Sequence, residues 1–144
     1  MKIKIINGPN LNLLGTREPE IYGRETLESI NSAAKSFADR HGIETDFFQS
    51  NHEGEIIDEI QKAFRDGFDG IIINPGGYTH TSVSIRDAIA ASPLPVVEVH
   101  LSNIFGRENF RRESITAPVC KGVISGFGRD AYILALAAFI ADKL

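Results

Sequence analysis

At 144 residues, 24% of them charged and 42% hydrophobic, the chain has the size and balance of one soluble domain able to bury a proper core. A net charge of −4 leaves no basic footprint for nucleic acid, and a single cysteine, Cys120, excludes an intramolecular disulfide and points to a reducing compartment. The opening "MKIKIINGPN" is too short an apolar run for a signal peptide, and residues 131–141 fall short of the ~20 residues of a membrane span, so a cytoplasmic protein is expected.

In chain order, "KIKII" (2–6) reads as a short strand ending at the turn Asn7-Gly8-Pro9-Asn10. The run "GTREPEIYG" (15–23) has neither helical nor strand periodicity and reads as a loop. Leu27, Ile30, Ala34 and Phe37 recur at helical spacing up to Gly42, and "IETDFFQ" (43–49) is a strand. Ile56, Ile57, Ile60, Ala63 and Phe64 mark an amphipathic helix closed by Gly67. "DGIIIN" (69–74) has the β-branched continuity of a strand buried on both faces. A helix over 82–91 breaks at "SPLP", "PVVEVH" (95–100) and "GVISGF" (122–127) are strands, and a helix over 130–143 ends the chain. Five alternations of strand and helix predict an α/β, three-layer, flavodoxin-like domain with a five-stranded parallel sheet, spanning 1–144 without linker or repeat.

Ligands in such folds gather at the carboxyl ends of the strands, near the topological switch point. There the sequence places Asn7-Gly8-Pro9-Asn10, Gln49-Ser50-Asn51-His52, Asn74-Pro75-Gly76-Gly77 and His100-Leu101-Ser102-Asn103, a hydrogen-bonding rim. Several chemistries are excluded. No GxxxxGK[ST] loop is present, and "GFGRDA" (126–131) follows the last strand, where no βαβ unit remains to complete a dinucleotide site. The histidines and the lone cysteine lack metal-ligand spacing, and none of the six lysines lies in the rim to form a Schiff base. Metal-free acid–base chemistry remains, with no cofactor expected.

"EVH" is its clearest element, because residues two apart in a strand share a face and Glu98 can fix the tautomer of His100. The same pair also fits a structural ion pair closing the strand end. "NPGGYTHTS" (74–82) allows close backbone approach and then a helix start that attracts anions, or simply a turn capped by Thr81 or Ser82. "SIRD" matches a capping box from Ser84 to Asp87, and Arg107 and Arg111 share a face if their segment is helical.

Together, "INGPNLNLLGTREPEIYG", "NPGGYTHTSVSIRDAI", "VEVHLSNIFGRENFRRESI" and "GVISGFGRDAYILAL" resemble one family nearly end to end, the type II 3-dehydroquinate dehydratases. The departures are small: Gly77 stands where alanine is frequent, and Phe105-Gly106 at a variable place. The resemblance implies a hydro-lyase of the shikimate pathway that converts 3-dehydroquinate to 3-dehydroshikimate by anti elimination through an enolate. It implies Tyr22 as the base that takes the C2 proton and Arg17 as its activator, on a lid loop over about 11–24. A free phenol has a pKa of ~10 and is only ~0.1% ionised at neutral pH, so a nearby cation is needed. His100, oriented by Glu98, is implied as the acid, and Asn10 as holding a water or the enolate oxygen. The substrate carboxylate is expected at Asn74, Ser102 and the amides of Leu101 and Ser102, and ring hydroxyls at His80 and Arg111. Asp87 is expected to reach a neighbouring subunit's site.

"AYILALAAFIA" is apolar on every helix face, more than one sheet covers unless it is deeply buried, and the resemblance implies a homododecamer built as a tetramer of trimers. Two further readings are a flavodoxin-like ligand-binding module, against which the first loop "NGPNLNLLG" lacks a phosphate cradle, and a scaffold without catalysis, against which all the implied catalytic residues are present.

Overall fold

The computed structural model describes residues 1–16, 19–22 and 24–142, without the side chains of Tyr22 and Asp142. Five strands, β1 (Lys2–Asn7), β2 (Glu44–Gln49), β3 (Gly70–Asn74), β4 (Val96–His100) and β5 (Gly122–Ser125), form one sheet in the order β2-β1-β3-β4-β5. Every pairing is parallel, as continuous β-branched runs and intervening helices predict. The register sets Asn7 beside Asn74, and the chain reverses its direction of winding between β1 and β3, so the switch point lies where these two asparagines end their strands.

The period-2 alternation of the strands divides the interior into two layers. Ile3, Ile5, Ile72, Val97 and Val99 pack against α2 (Leu27–Arg40) and α5 (Asp130–Asp142). Ile6, Ile71, Ile73 and Val96 pack on the opposite face against α3 (Glu53–Arg65) and α4 (Val83–Ala91). Glu98 and His100 follow Val96 in alternation and share that second face. This is the three-layer, flavodoxin-like arrangement expected.

Local chemistry sets the helix ends, with corrections to the sequence expectations. Thr26 and Ser29 form a reciprocal capping box at α2, each accepting the other's backbone N–H at 3.1 Å. The box expected at Ser84–Asp87 does not form, because α4 begins earlier. Ser82, itself buried, is its cap, accepting from Ile85 N at 2.9 Å. One helical turn, α1 (Pro19–Tyr22), stands in the stretch read as loop. Leu11 and Leu14 are buried in the first core layer, so the segment expected to act as a lid is anchored at its start. Arg107 and Arg111 do not share a helix face: Arg107 is extended, and only a 3₁₀ turn over Asn109–Arg111 follows.

On α5, Tyr132, Ala135, Leu136 and Phe139 are fully buried, yet Leu134 and Ile140 remain 44% and 38% exposed. The helix is apolar on a face that its own sheet does not cover. Beneath it, β3 begins at Gly70 because an added Cβ would lie 2.2 Å from Cε1 of the Phe139 ring. The ring sits in a filled core and has nowhere to move. Gly70→Ala is therefore expected to lower stability by about 1–3 kcal/mol, read as a lower denaturation midpoint with an unchanged circular dichroism spectrum.

Candidate active site

The carboxyl ends of β1, β3 and β4 open into a cleft at the switch point. Asn10, Asn74, His80, His100, Leu101, Ser102 and Arg111, all expected from sequence, line it together, with Pro9, the Gly76-Gly77 turn, Ile104 and Arg107 completing the walls. No lysine lies among the described lining residues, and no described group of three or more His, Cys, Asp or Glu side chains is placed to hold a metal ion. Asp87 is exposed on α4 and is not among the lining residues. Arg17 and the side chain of Tyr22 lie outside the described residues.

At the floor of the cleft, His100 Nε2 is 2.9 Å from Glu98 Oε2. Glu98 is 0% exposed and His100 only 6%. Burial alone works against the carboxylate, but the histidine and the hydroxyls of Thr116 and Ser114 outweigh it and hold the Glu98 pKa below its ordinary value. An ionised carboxylate only accepts, so Nε2 carries a proton and Nδ1 is the nitrogen left for chemistry. His80 is set the other way round. Its Nδ1 donates to the Glu113 carbonyl at 2.7 Å, which leaves Nε2 of the neutral ring as an acceptor.

The two asparagines at the switch point are tied by a residue from the far end of the chain. Tyr132 donates to Asn7 Oδ1 at 2.5 Å and accepts from Asn74 Nδ2 at 3.1 Å. Full burial pushes the phenol pKa of Tyr132 upward, so it remains a neutral donor. Asn74 Oδ1 accepts from Gly76 N at 3.1 Å, which fixes the amide with its donor nitrogen turned to Tyr132. Gly8 crosses this junction so tightly that a Cβ would lie 2.5 Å from the Pro75 carbonyl oxygen. Asn10 adopts φ 68°, a left-handed conformation that asparagine tolerates, and its N–H donates to Asn51 Oδ1 at 3.0 Å.

Arg111 reaches the cleft with its guanidinium Nε donating to Glu108 at 2.6 Å and stacked 4.8 Å over the Phe110 ring. The pair holds the Glu108 carboxyl below its usual range. Sequence reasoning missed Thr79, Ser114, Thr116, Tyr132 and Asn51 as supports of the site. Asn51 stood in a rim segment and Thr79 in a quoted motif. Ser114 and Thr116 carry no periodic signal, and Tyr132 is hidden in an apolar helix.

Comparison with known proteins gives a consistent result. The profile of the family described as dehydroquinase class II matches residues 1–140. A 3-dehydroquinate dehydratase of Nitratiruptor sp. is 59% identical over 138 residues, 96% of this chain and 88% of the relative. One from Clostridium beijerinckii is 54% identical over 144 residues, 100% of this chain and 99% of the relative. A crystal structure of a type II dehydroquinase from Butyrivibrio crossotus superposes with a TM-score of 0.96 at 50% identity, covering 98% of each chain.

The lowered pKa of Glu98 gives a stability signature. A carboxyl depressed in the folded state contributes stability above its unfolded pKa, about 4.3, and loses it as pH falls through the folded value. The stability gap between wild type and Glu98→Gln should be widest near neutral pH and should close below about pH 4.3, measured by urea midpoints across that range.

Proposed function

Because the chain belongs to the dehydroquinase class II family, we propose that it is a 3-dehydroquinate dehydratase, a hydro-lyase whose reaction runs in the cleft at the switch point. The observation that carries this reading is His100 at the cleft floor, held through Nε2 by a buried carboxylate, with Nδ1 left to work on a ligand. In this reaction the Tyr22 phenolate, favoured by Arg17, takes the C2 proton alpha to the ketone. The electron pair moves into an enolate, whose oxygen is met by Asn10 or by a water that Asn10 holds. The enolate then expels the β-hydroxyl. His100 enters this step as the imidazolium with a proton on each nitrogen and delivers the Nδ1 proton to the leaving hydroxyl, which leaves the neutral ring with its proton on Nε2 toward Glu98. Water leaves, the ring gains a double bond conjugated with the ketone, and solvent returns Tyr22 and His100 to their starting protonation states. Neither a metal nor an organic cofactor takes part.

The proposed binding roles follow the family resemblance. Asn74 Nδ2, Ser102 and the amides of Leu101 and Ser102 would meet the substrate carboxylate. His80 Nε2 is an acceptor for a ring hydroxyl, as its bond to Glu113 implies, and Arg111 offers its remaining guanidinium donors. Asp87, exposed on α4, would act across a subunit boundary rather than in its own cleft. A homododecamer is proposed on the same family basis, and the uncovered apolar face of α5 supports burial against other copies. The pathway role proposed is the shikimate route, in the cytoplasm.

Two measurements test the reading. Mixing the protein with 3-dehydroquinate in chelator-containing buffer should raise the ultraviolet absorbance of a conjugated enone, and prior borohydride treatment with substrate should leave the rate unchanged. A folded protein that gives no rise would sink the proposal. Tyr22→Phe should fold and lose turnover by about 100-fold or more, and a variant retaining most of the wild-type kcat would move the base elsewhere.

A further inference from the structure

The Glu98 carboxylate receives more donors than orienting a histidine requires. Thr79 Oγ1 donates to Oε1 at 2.9 Å and Thr116 Oγ1 donates to the same oxygen. Ser114 Oγ donates to Oε2 at 2.9 Å, beside His100 Nε2. A carboxylate offers about four lone-pair directions, so three hydroxyls and one imidazole fill it. Thr79 and Thr116 are 0% exposed, and Thr79 Oγ1 lies 2.7 Å from Thr116 Oγ1 and 2.8 Å from Ser114 Oγ, so no water is needed to complete the shell. Each hydroxyl has a single proton, and Ser114 Oγ already accepts from Ala117 N at 2.9 Å. The arrangement is a built cage, drawn from the turn before α4 and from the segment before β5.

We propose that Thr79, Ser114 and Thr116 are positioning residues for His100: by filling three of the four acceptor directions of Glu98, they leave one, which holds the imidazole with its proton on Nε2 and Nδ1 toward the ligand. The inference deepens the proposed reaction and rests on it for the catalytic consequence. Losing one hydroxyl frees an acceptor direction, lets the carboxylate turn, and weakens the hold on the ring. It also makes Glu98 easier to protonate. The other titratable groups around the cage do not blur this. Burial and the charge of Glu98 push the Cys120 thiol up to about 12, so it stays neutral. The Arg86 guanidinium of α4 donates to the Ile115 carbonyl, and His80 is held by Glu113.

Thr116→Val is the informative variant, because it keeps the shape and removes the hydroxyl, and Thr116→Ser restores it. The readout is the imidazole ¹⁵N and N–H proton spectrum of the full-length protein, with its 4 histidines, alongside steady-state kinetics with 3-dehydroquinate. In its neutral form, wild-type His100 should carry its proton on Nε2, with a sheltered low-field signal. In Thr116→Val that proton signal should be lost on acidification at a higher pH than in wild type, because Glu98 is easier to protonate, and kcat should fall about tenfold with KM within about twofold. Thr116→Ser should return both to wild-type behaviour. An unchanged signal and kcat in Thr116→Val, no rescue by serine, or an Nδ1–H tautomer in wild type would overturn the inference. If Thr116→Val does not fold, Thr79→Val is read in the same way with the same expected shift. A wild type that shows the signal and its shift but never turns over 3-dehydroquinate would overturn the proposed reaction while supporting the cage. Turnover without any shift would overturn the cage alone.

Discussion

A carboxylate removed from water must be matched by donors, or it takes up a proton and stops being a charge. Glu98 is the place where this constraint bears hardest on the molecule. Its position is dictated by alternation along β4, which sends Val97 and Val99 into one core layer and Glu98 and His100 to the other. Once there, it draws in the turn carrying Thr79 and the segment carrying Ser114 and Thr116. The Ile115 N–H donates to the Thr79 carbonyl at 2.8 Å, so backbone and side chains lock the same two segments together. One side of the cleft is thereby folded around a charge.

The other side is folded around amides. Asn7, Tyr132 and Asn74 form a directional chain in which the phenol donates one way and accepts the other. The parallel pairing of β1 with β3 brings the asparagines level, and the packing of α5 over the sheet brings the phenol between them. Backbone approach at Gly8 then closes the junction, with Gly8 N donating to the Asn74 carbonyl at 2.8 Å. A ligand carboxylate offered to this rim would meet groups that are already oriented, which limits the entropy lost on binding.

A second buried charge shows the same logic used for stability alone. Lys4 lies under α3 with its ammonium 2.5 Å from Asp46 and paired with Glu59. Burial works against it, yet the two carboxylates outweigh that cost and its pKa is raised. It ties β1, β2 and α3 together at a distance from the cleft. The contrast with Glu98 lies in the partners: carboxylates neutralise Lys4, whereas Glu98 is held first by the His100 imidazole and then by neutral hydroxyls.

What the sequence by itself determined is whatever follows from local periodicity. The period of two in β4 placed Glu98 and His100 on one face, and the β-branched run at 70–74 marked a central strand. The polar residues closing each strand marked the rim, because the carboxyl ends of parallel strands necessarily share one edge. The ordered motifs pointed to the family that the comparisons then showed. Helix starts were less legible: Ser82 and Ser84 are both competent caps, and only the packing of Ile85 into the core decides between them. The tertiary structure alone decided which distant groups complete the site. Thr79, Ser114 and Thr116 meet at Glu98, and Tyr132 meets two asparagines more than fifty positions away. Such meetings depend on sheet order and on how helices lie across it, and no local spacing encodes either.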